Sequence, residues 1–232
     1  MGLVNDVLKY VVDVASDGKI DGVCLGLKYI SVLLEDGRCG VAYRFRNWMS
    51  TIDRPSIEYG FDAAKLCLEW DLNVASLGTA AVNSLLPDPG GTKVEGYRRI
   101  KELCKDARFV VFVGYFKPFL NIPSRYVVIE KSFFEGVLPD EAYQEYLPMA
   151  DLAVISGSAF VNKSLEKLLK ASGGYNLVVG LTTPPCRVLF EYGVDELLYS
   201  KVVDGRQVYR LVSLGGGSSL IKKHSVQLSI RR

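Results

Sequence analysis

Hydrophobic and polar positions follow two different patterns along the chain, and the pattern changes near residue 90. Residues 3–15 place apolar side chains at helical spacing and polar ones between them, which predicts an amphipathic first helix. Residues 22–27, 29–34 and 40–45 are β-type runs separated by short breaks, which predicts a small antiparallel meander. A second helix is predicted over residues 72–86.

Beyond residue 90, short apolar runs alternate with helical segments. Strands are predicted at residues 109–113, 126–129, 152–155, 177–181 and 197–203, and helices at residues 94–105, 140–146, 159–171 and 187–192. The apolar content of residues 109–113 is continuous, as in a strand that is covered on both faces. Strands separated by helices predict right-handed crossovers and a mostly parallel, Rossmann-like sheet. The β-prone runs 208–212 and 226–230 are expected to add edge strands.

The boundary between the two patterns is the segment PDPGGT, residues 87–92. Proline cannot continue the helical hydrogen-bond ladder and the glycines loosen the chain, so the preceding helix must stop here. We therefore predict a small α+β domain over residues 1–90 and an α/β domain over residues 91–232.

Charge and apolar run length exclude two classes of partner. Lys and Arg number 28 against 26 Asp and Glu, so no strong field attracts nucleic acid or an anionic membrane. Apolar runs such as residues 109–113 are far shorter than the roughly 20 residues that cross a bilayer. Charged residues at Asp6, Lys9 and Asp13 interrupt any signal-peptide core. We expect a cytoplasmic protein with a small-molecule partner.

The cysteines and the histidine give little support for a metal centre made by the protein alone. The five cysteines are odd in number and widely spaced, which indicates reduced thiols rather than a disulfide framework. No pair makes C-x-x-C and His224 is the single histidine, so a closed structural zinc site is not expected. Cys186 follows a proline pair at a helix start. It is either a buried thiol or a nucleophile, although no histidine lies nearby in sequence to act as its base. The roles of Cys186 and His224 stay open.

Ligands of open parallel sheets gather beyond the carboxyl ends of the strands. The first such turn, residues 113–118, carries Gly114 in place of the G-x-G-x-x-G fingerprint, which weakens the case for NAD. Gly114 either lets a ligand approach the backbone or serves a tight strand exit. Glu130 ends the next strand, where Rossmann proteins often hold a ribose hydroxyl, although it equally fits a solvated strand end.

Two further turns carry hydroxyl groups. Ser156, Gly157 and Ser158 open a helix, where they either cap it or bind an anion, and Asn162 lies one turn further on. Thr182 and Thr183 precede Pro184 and Pro185 in a stiff turn, which suits either a binding loop or an ordinary helix start. In the first domain, Lys28 and Asn83 lie in unusual places for polar side chains. Each either contributes to a ligand site or has a surface or capping role.

Several segments resemble a known family. They are SLGTAAVNSLL before the boundary and ADLAVISGSAFVNKSLEKLL and LVVGLTTPPCRVLFEYGVDELLYSKVVDG after it. They are similar to the family of domain of unknown function 364, which is labelled putative heavy-metal chelation. The resemblance covers most of the chain, including the meander, and its S-G-S-x-x-x-N and T-x-P motifs are fairly specific.

The resemblance implies an enolase N-terminal-like domain packed on a Rossmann-like one, with a site between them. The positions that match are Gly157, Ser158, Asn162, Thr183 and Pro184, with Asn83 from the first domain. Since the chain shows no compact set of soft ligands, a metal would need ligands assembled by the fold or supplied by a substrate.

Three hypotheses follow. The first is a protein that binds or processes a small anionic or metal-complexing ligand, with a transition-metal ion or metal chelate as the bound species. The alternative is an enzyme that uses a nucleotide-type cofactor, NAD(P) or S-adenosylmethionine, with Glu130 at a ribose and Gly114 near the phosphates. The third is a non-catalytic scaffold or homodimer with Tyr143 and Tyr146 as contact points.

Overall fold

The computed structural model describes residues 2–45, 57–114, 116, 122–131 and 135–232, and the predicted turn 113–118 therefore lies partly outside them. The helices are α1 (Gly2–Val14), α2 (Gly60–Lys65), α3 (Leu72–Leu85), α4 (Gly96–Asp106), α5 (Tyr143–Tyr146), α6 (Ser158–Val161), α7 (Leu165–Ala171), α8 (Gly205–Ser213) and α9 (Ser218–Ile221). The strands are β1 (Ile20–Leu25), β2 (Tyr29–Leu34), β3 (Cys39–Tyr43), β4 (Thr92–Lys93), β5 (Phe109–Val113), β6 (Arg125–Ile129), β7 (Leu152–Ser156), β8 (Tyr175–Val179), β9 (Glu196–Val202) and β10 (Ser225–Arg231). No helix of the described residues is long and apolar enough to cross a membrane.

The N-terminal part is the predicted antiparallel sheet, in the order β1-β2-β3, and α3 packs on one face of it against β2 and β3. The carboxylate of Asp71 caps α3 by accepting from the backbone N–H groups of Asn73 and Val74 at 2.9 and 3.0 Å. Small residues let α3 pack closely, since a Cβ atom at Gly40 would lie 2.0 Å from the carbonyl oxygen of Ala80. This close approach requires glycine at residue 40, and another requires Gly78 in the middle of α3, where a Cβ atom would lie 1.9 Å from the backbone nitrogen of Cys67.

The second part is a seven-stranded sheet in the order β4-β10-β9-β8-β7-β5-β6. Strands β5 to β9 pair in parallel, and β10 pairs antiparallel with both β9 and β4. The α/β fold class predicted from the alternating pattern is confirmed. If β5 to β9 are renumbered 1 to 5 in chain order, their order in the sheet is 2-1-3-4-5, which is a doubly wound order. The chain reverses direction across the sheet between strands 1 and 3, so the switch point lies between β5 and β7.

Two secondary-structure predictions were wrong, and a third was right about the strand but wrong about its place: residues 226–230 were expected at an edge of the sheet, but β10 lies between β9 and β4. Residues 208–212 were expected to form an edge strand but lie inside α8, which Asp204 caps by accepting from the N–H of Gln207 at 3.0 Å. Val208 and Val212 are buried four residues apart, so this run has helical rather than strand periodicity. The helix predicted over residues 159–171 is broken between α6 and α7, where Lys163 has a φ of 61°.

The hydrophobic core continues across the predicted boundary. A single buried cluster contains Leu3 and Val7 of α1 together with Phe160 and Leu189 from the second part. Polar contacts also join the parts, since Tyr192 Oη donates to Asp6 Oδ2 at 2.5 Å. The division at residue 90 remains a prediction, and it separates two sheets that share one core.

Candidate functional site

The candidate site begins at the switch point of the parallel sheet, between the carboxyl ends of β5 and β7. Gly114 follows β5 with a φ of 109°, a conformation that favours glycine, and its N–H donates to the carbonyl of Ile129 at 2.8 Å. A Cβ atom at Gly114 would lie 2.8 Å from Cβ of Ser156, the last residue of β7. The two turns predicted separately from sequence are therefore in contact at the position where doubly wound sheets bind ligands.

Ser156, Gly157 and Ser158 form the turn after β7. The hydroxyl oxygens of Ser156 and Ser158 lie 2.9 Å apart, and the N–H of Ser158 points to Ser156 Oγ at 3.4 Å. Gly157 has an ordinary φ of −57°, but a Cβ atom there would lie 2.6 Å from the backbone nitrogen of Thr183. Glycine is thus required because the turns after β7 and β8 touch.

Thr182 joins the turn after β8 to the N-terminal part. Its hydroxyl oxygen accepts from the N–H of Tyr43 at 2.9 Å, and its carbonyl accepts from Asn83 Nδ2 at 3.3 Å. Asn83 Nδ2 also donates to the carbonyl of Val41 at 3.0 Å. These contacts define a seam between β3, α3 and the carboxyl edge of the parallel sheet.

Two buried polar atoms at this seam have no hydrogen-bond partner within the described part of the chain: Asn83 Oδ1 and Thr183 Oγ1. Asn83 Nδ2 donates hydrogen bonds to two carbonyls, which fixes the orientation of the side-chain amide. The other atom of that amide, Oδ1, can therefore act only as an acceptor. Thr183 is only 2% exposed. A buried unsatisfied polar group costs about 1–3 kcal/mol, so each needs a physical explanation.

The remaining predicted residues lie around this centre. Asn162 Oδ1 accepts from the N–H and the hydroxyl of Ser164 at 3.0 and 2.5 Å, which holds the break between α6 and α7. Pro184 is buried, and its carbonyl accepts from the N–H of Cys186 at 2.8 Å. Glu130 follows β6, one strand beyond Gly114, and its Oε1 accepts from the N–H of Lys131 at 2.8 Å. Ser156, Gly157, Thr182, Thr183 and Asn83 thus form the centre of the site.

Sequence reasoning missed two contributors. Tyr43 supplies the N–H that engages Thr182 from a position 139 residues earlier, and no local pattern indicates this pairing. Lys163 follows Asn162 in a left-handed conformation that is uncommon for residues other than glycine. Its ammonium donates to the carbonyls of Glu69 and Val161, the latter at 2.9 Å, and burial lowers the pKa of Lys163. The lysine therefore ties α6 to the segment before α3.

The thiols and the histidine do not build a metal centre. Burial raises the pKa of Cys39, Cys67 and Cys186 to about 12 and that of Cys104 to about 11, so these thiols stay protonated at neutral pH. Nδ1 of His224 lies 3.9 Å from Asp204 Oδ2, after β9 and before β10. The described residues contain no group of three or more His, Cys, Asp or Glu side chains that could hold a metal ion.

The family comparisons match most of the chain. A family model, DUF364, described as "Putative heavy-metal chelation", matches residues 101–230. A second model with the same description, DUF4213, matches residues 9–86. The uncharacterized protein MJ0500 of Methanocaldococcus jannaschii is 25% identical over 166 residues, which cover 66% of this chain and 64% of that protein. The chain thus matches less than two thirds of the length of this relative.

Two crystal structures of proteins with unknown function from the DUF364 family share the fold. The protein from Desulfitobacterium hafniense DCB-2 superposes with a TM-score of 0.82 at 22% identity, covering 100% of this chain and 99% of its own. The protein PH1506 from Pyrococcus horikoshii superposes with a TM-score of 0.84 at 19% identity, covering 99% of this chain and 100% of its own. These likenesses extend over both sheets.

Proposed function

Since the chain belongs to the DUF364 family, described as putative heavy-metal chelation, we propose that it binds a small anionic, metal-complexing ligand at the carboxyl edge of its parallel sheet. The binding residues are Ser156, Ser158 and Thr183, with Asn83 across the seam. Ligand and metal enter together, and the ligand supplies most of the metal's donor atoms.

The observation that carries this proposal is the convergence of three turns at the switch point. The turn after β5 touches the turn after β7 at Gly114 and Ser156, and the latter touches the turn after β8 at Gly157 and Thr183. Glycines at two of these contacts let the three turns pack against one another, which brings their polar groups together at one edge of the sheet. Asn83 Oδ1 and Thr183 Oγ1 are two further polar groups, and both are buried without a partner in the described residues. A ligand that bonded to them, or an opening of the seam, would remove the free-energy cost of leaving them unsatisfied.

The chemistry of the donors favours a complexed metal over a bare one. Soft metals prefer thiolate ligands and borderline metals such as Ni²⁺ also bind imidazole, but the buried thiols of this chain are protonated and scattered. The site instead offers hydroxyl, amide and backbone groups, which hydrogen-bond to carboxylate or phosphate oxygens. These residues do not fit a soft-metal centre built by the protein alone, so the metal requires a chelating partner.

Calorimetric titration tests the proposal with four probes: inorganic phosphate, citrate, Ni²⁺ and the Ni²⁺–citrate complex. We expect citrate and its complex to bind more tightly than free Ni²⁺. The double variant Ser156→Ala/Ser158→Ala should weaken that binding about tenfold, the equivalent of one or two lost hydrogen bonds. Ser213→Ala, an exposed hydroxyl at the end of α8, is the matched control and should bind as the parent does.

Two results would contradict the proposal. One is the failure of phosphate, citrate and the complex to bind at millimolar concentration. The other is tight binding of free Ni²⁺ that the double variant leaves unchanged, which would indicate a metal site elsewhere in the chain.

A further inference from the structure

Four exposed leucines lie around the turn between β1 and β2 and the turn between α8 and α9. Leu25 ends β1 and is 37% exposed, and Leu27 lies in the turn that follows and is 68% exposed. Leu214, just after α8, and Leu220, within α9, are 73% and 41% exposed. The two turns are in contact, because a Cβ atom at Gly215 would lie 2.8 Å from Leu27 Cδ1. We call the four leucines the leucine patch.

The most exposed members of the leucine patch protrude from the surface. Leu27 lies in a turn and Leu214 follows the last residue of a helix, so neither is flanked by regular structure on both sides. Together the four leucines expose roughly 400 Å² of surface, and apolar patches of this size often mark a binding surface. Protruding apolar side chains need either a partner with matching cavities or a deformable apolar phase.

A cation accompanies each part of the leucine patch. Lys28 follows Leu27, and its Nζ lies against the glycine-rich turn between α8 and α9. Arg210 lies one helical turn before Leu214, whose N–H donates to the Arg210 carbonyl at 3.1 Å. Residues at this spacing share one face of a helix. Lys223 lies in the single turn that follows α9.

These three cations are not neutralised by neighbouring carboxylates. All three are exposed, and none forms a salt bridge within the part of the chain that the structure describes. Two carboxylates nearby have other partners, since Asp21 pairs with Arg206 at 3.3 Å and Asp204 caps α8. The leucine patch therefore carries a local positive charge. The net charge of +2 did not predict it, because net charge averages over the whole surface.

We propose that the leucine patch binds the surface of an anionic lipid bilayer. The leucines enter the boundary between headgroups and acyl chains, and Lys28, Arg210 and Lys223 contact the headgroup phosphates. Apolar side chains and clustered cations are the two contributions that hold proteins at such a surface. A second copy of the chain fits less well, because a symmetric contact would bring the same excess of positive charge to both sides. The binding is peripheral, since no described helix can cross a membrane.

Co-sedimentation of the full chain with lipid vesicles tests the proposal. The vesicles consist of phosphatidylcholine alone or of an equal mixture of phosphatidylcholine and phosphatidylglycerol. We expect at least tenfold tighter binding to the mixed vesicles, because only these carry a negative surface charge. Leu27→Ser/Leu214→Ser should weaken that binding at least tenfold, and Lys28→Gln/Lys223→Gln should weaken it by a similar factor.

Matched controls change exposed residues outside the leucine patch. Met149→Ser is the control for the leucines, since Met149 is 56% exposed. Lys105→Gln/Arg232→Gln is the control for the cations, since both side chains are exposed at other places in the fold. Both controls should bind the mixed vesicles as the parent does. Thermal melting followed by circular dichroism checks that every variant is folded.

Three results would overturn the proposal. The first is that the parent does not bind the mixed vesicles. The second is binding that Leu27→Ser/Leu214→Ser leaves unchanged, because charge alone would then account for it. The third is self-association of the parent in analytical ultracentrifugation that the same leucine variant abolishes, which would assign the leucine patch to contacts between copies of the chain.

Discussion

Two clusters of polar side chains, one at each edge of the parallel sheet, differ in how completely their hydrogen bonds are satisfied. Glu196, at the amino end of β9, is fully buried. Its Oε1 accepts from Arg99 Nε (2.9 Å) and Ser229 (2.6 Å), and its Oε2 accepts from Arg99 Nη2 (2.6 Å), Arg99 Nε (3.3 Å) and Tyr175 (3.0 Å). At the carboxyl edge, Asn83 Oδ1 and Thr183 Oγ1 are buried without partners among the described residues.

We infer from this difference that the Glu196 cluster holds the fold and that the carboxyl edge is suited to binding. A buried carboxylate that is fully bonded specifies how the strands and α4 pack. A buried hydroxyl without a partner lowers stability, and proteins tolerate such costs mainly where a function needs the group. Mutations at the Glu196 cluster should therefore change stability alone, whereas mutations at the carboxyl edge should change ligand affinity.

The largest expected effect is that of Arg99→Met. Removing the guanidinium leaves Glu196 buried without its main partner, which costs about 3–5 kcal/mol of unfolding free energy. The measurement is urea denaturation followed by circular dichroism. Arg98→Met is the neighbouring control, because Arg98 is exposed and its bridge to Glu102 contributes about 0.5 kcal/mol or less. Equal losses in both variants would show that the Glu196 cluster is not a stabilising centre.

The pH dependence of the same variant sharpens this prediction. Burial raises the pKa of Glu196, but the hydrogen bonds from Arg99, Ser229 and Tyr175 outweigh it and hold the pKa below the ordinary 4.5. In the parent, the stabilisation from ionised Glu196 is present above pH 4.5 and is lost as the pH falls through the folded-state pKa. In Arg99→Met, burial should dominate and raise the pKa, so protonation favours the folded state.

The destabilisation by Arg99→Met should therefore be largest near pH 7 and shrink toward pH 4. Parallel urea titrations of the parent and the variant at several pH values measure this difference. A constant difference across that range would mean that Glu196 does not change its protonation between the two proteins.

Gly157→Ala tests the contact between the turns after β7 and β8. The new Cβ would lie 2.6 Å from the backbone nitrogen of Thr183, so the turns must separate at a cost of about 1–3 kcal/mol. Binding of citrate at this edge should fall with it. Gly2→Ala is the control, because a Cβ there meets the Tyr192 hydroxyl only at the ordinary distance of 3.4 Å. Unchanged stability and binding in Gly157→Ala would contradict the close contact.

The sequence pattern predicted the fold and the turns of the site, and the family resemblance added Asn83 from the first domain, but neither predicted the individual contacts between the parts. The strand ends at Ser156 and Thr182 were predictable because parallel strands place their carboxyl ends at one edge. Residues 208–212 were misassigned since Val208 and Val212 are β-branched, while the capping residue Asp204 and the four-residue spacing of buried positions decided for a helix. The contact of Asn83 with Thr182 spans 99 residues, and only the folded chain shows it.

The smallest expected effect is that of Thr183→Val, and it should contrast with the loss of stability caused by the same change at the neighbouring Thr182. Thr182→Val removes the acceptor of the Tyr43 N–H and leaves that donor unsatisfied, which costs about 1–3 kcal/mol. Thr183→Val removes a buried hydroxyl that has no partner within the described residues, so stability should stay equal or rise by about 1 kcal/mol. Urea denaturation gives both values, and citrate titration should show weaker binding for Thr183→Val despite its unchanged or higher stability. If Thr183→Val instead loses stability and keeps its affinity, the hydroxyl is structural, and the contrast between the two clusters does not hold.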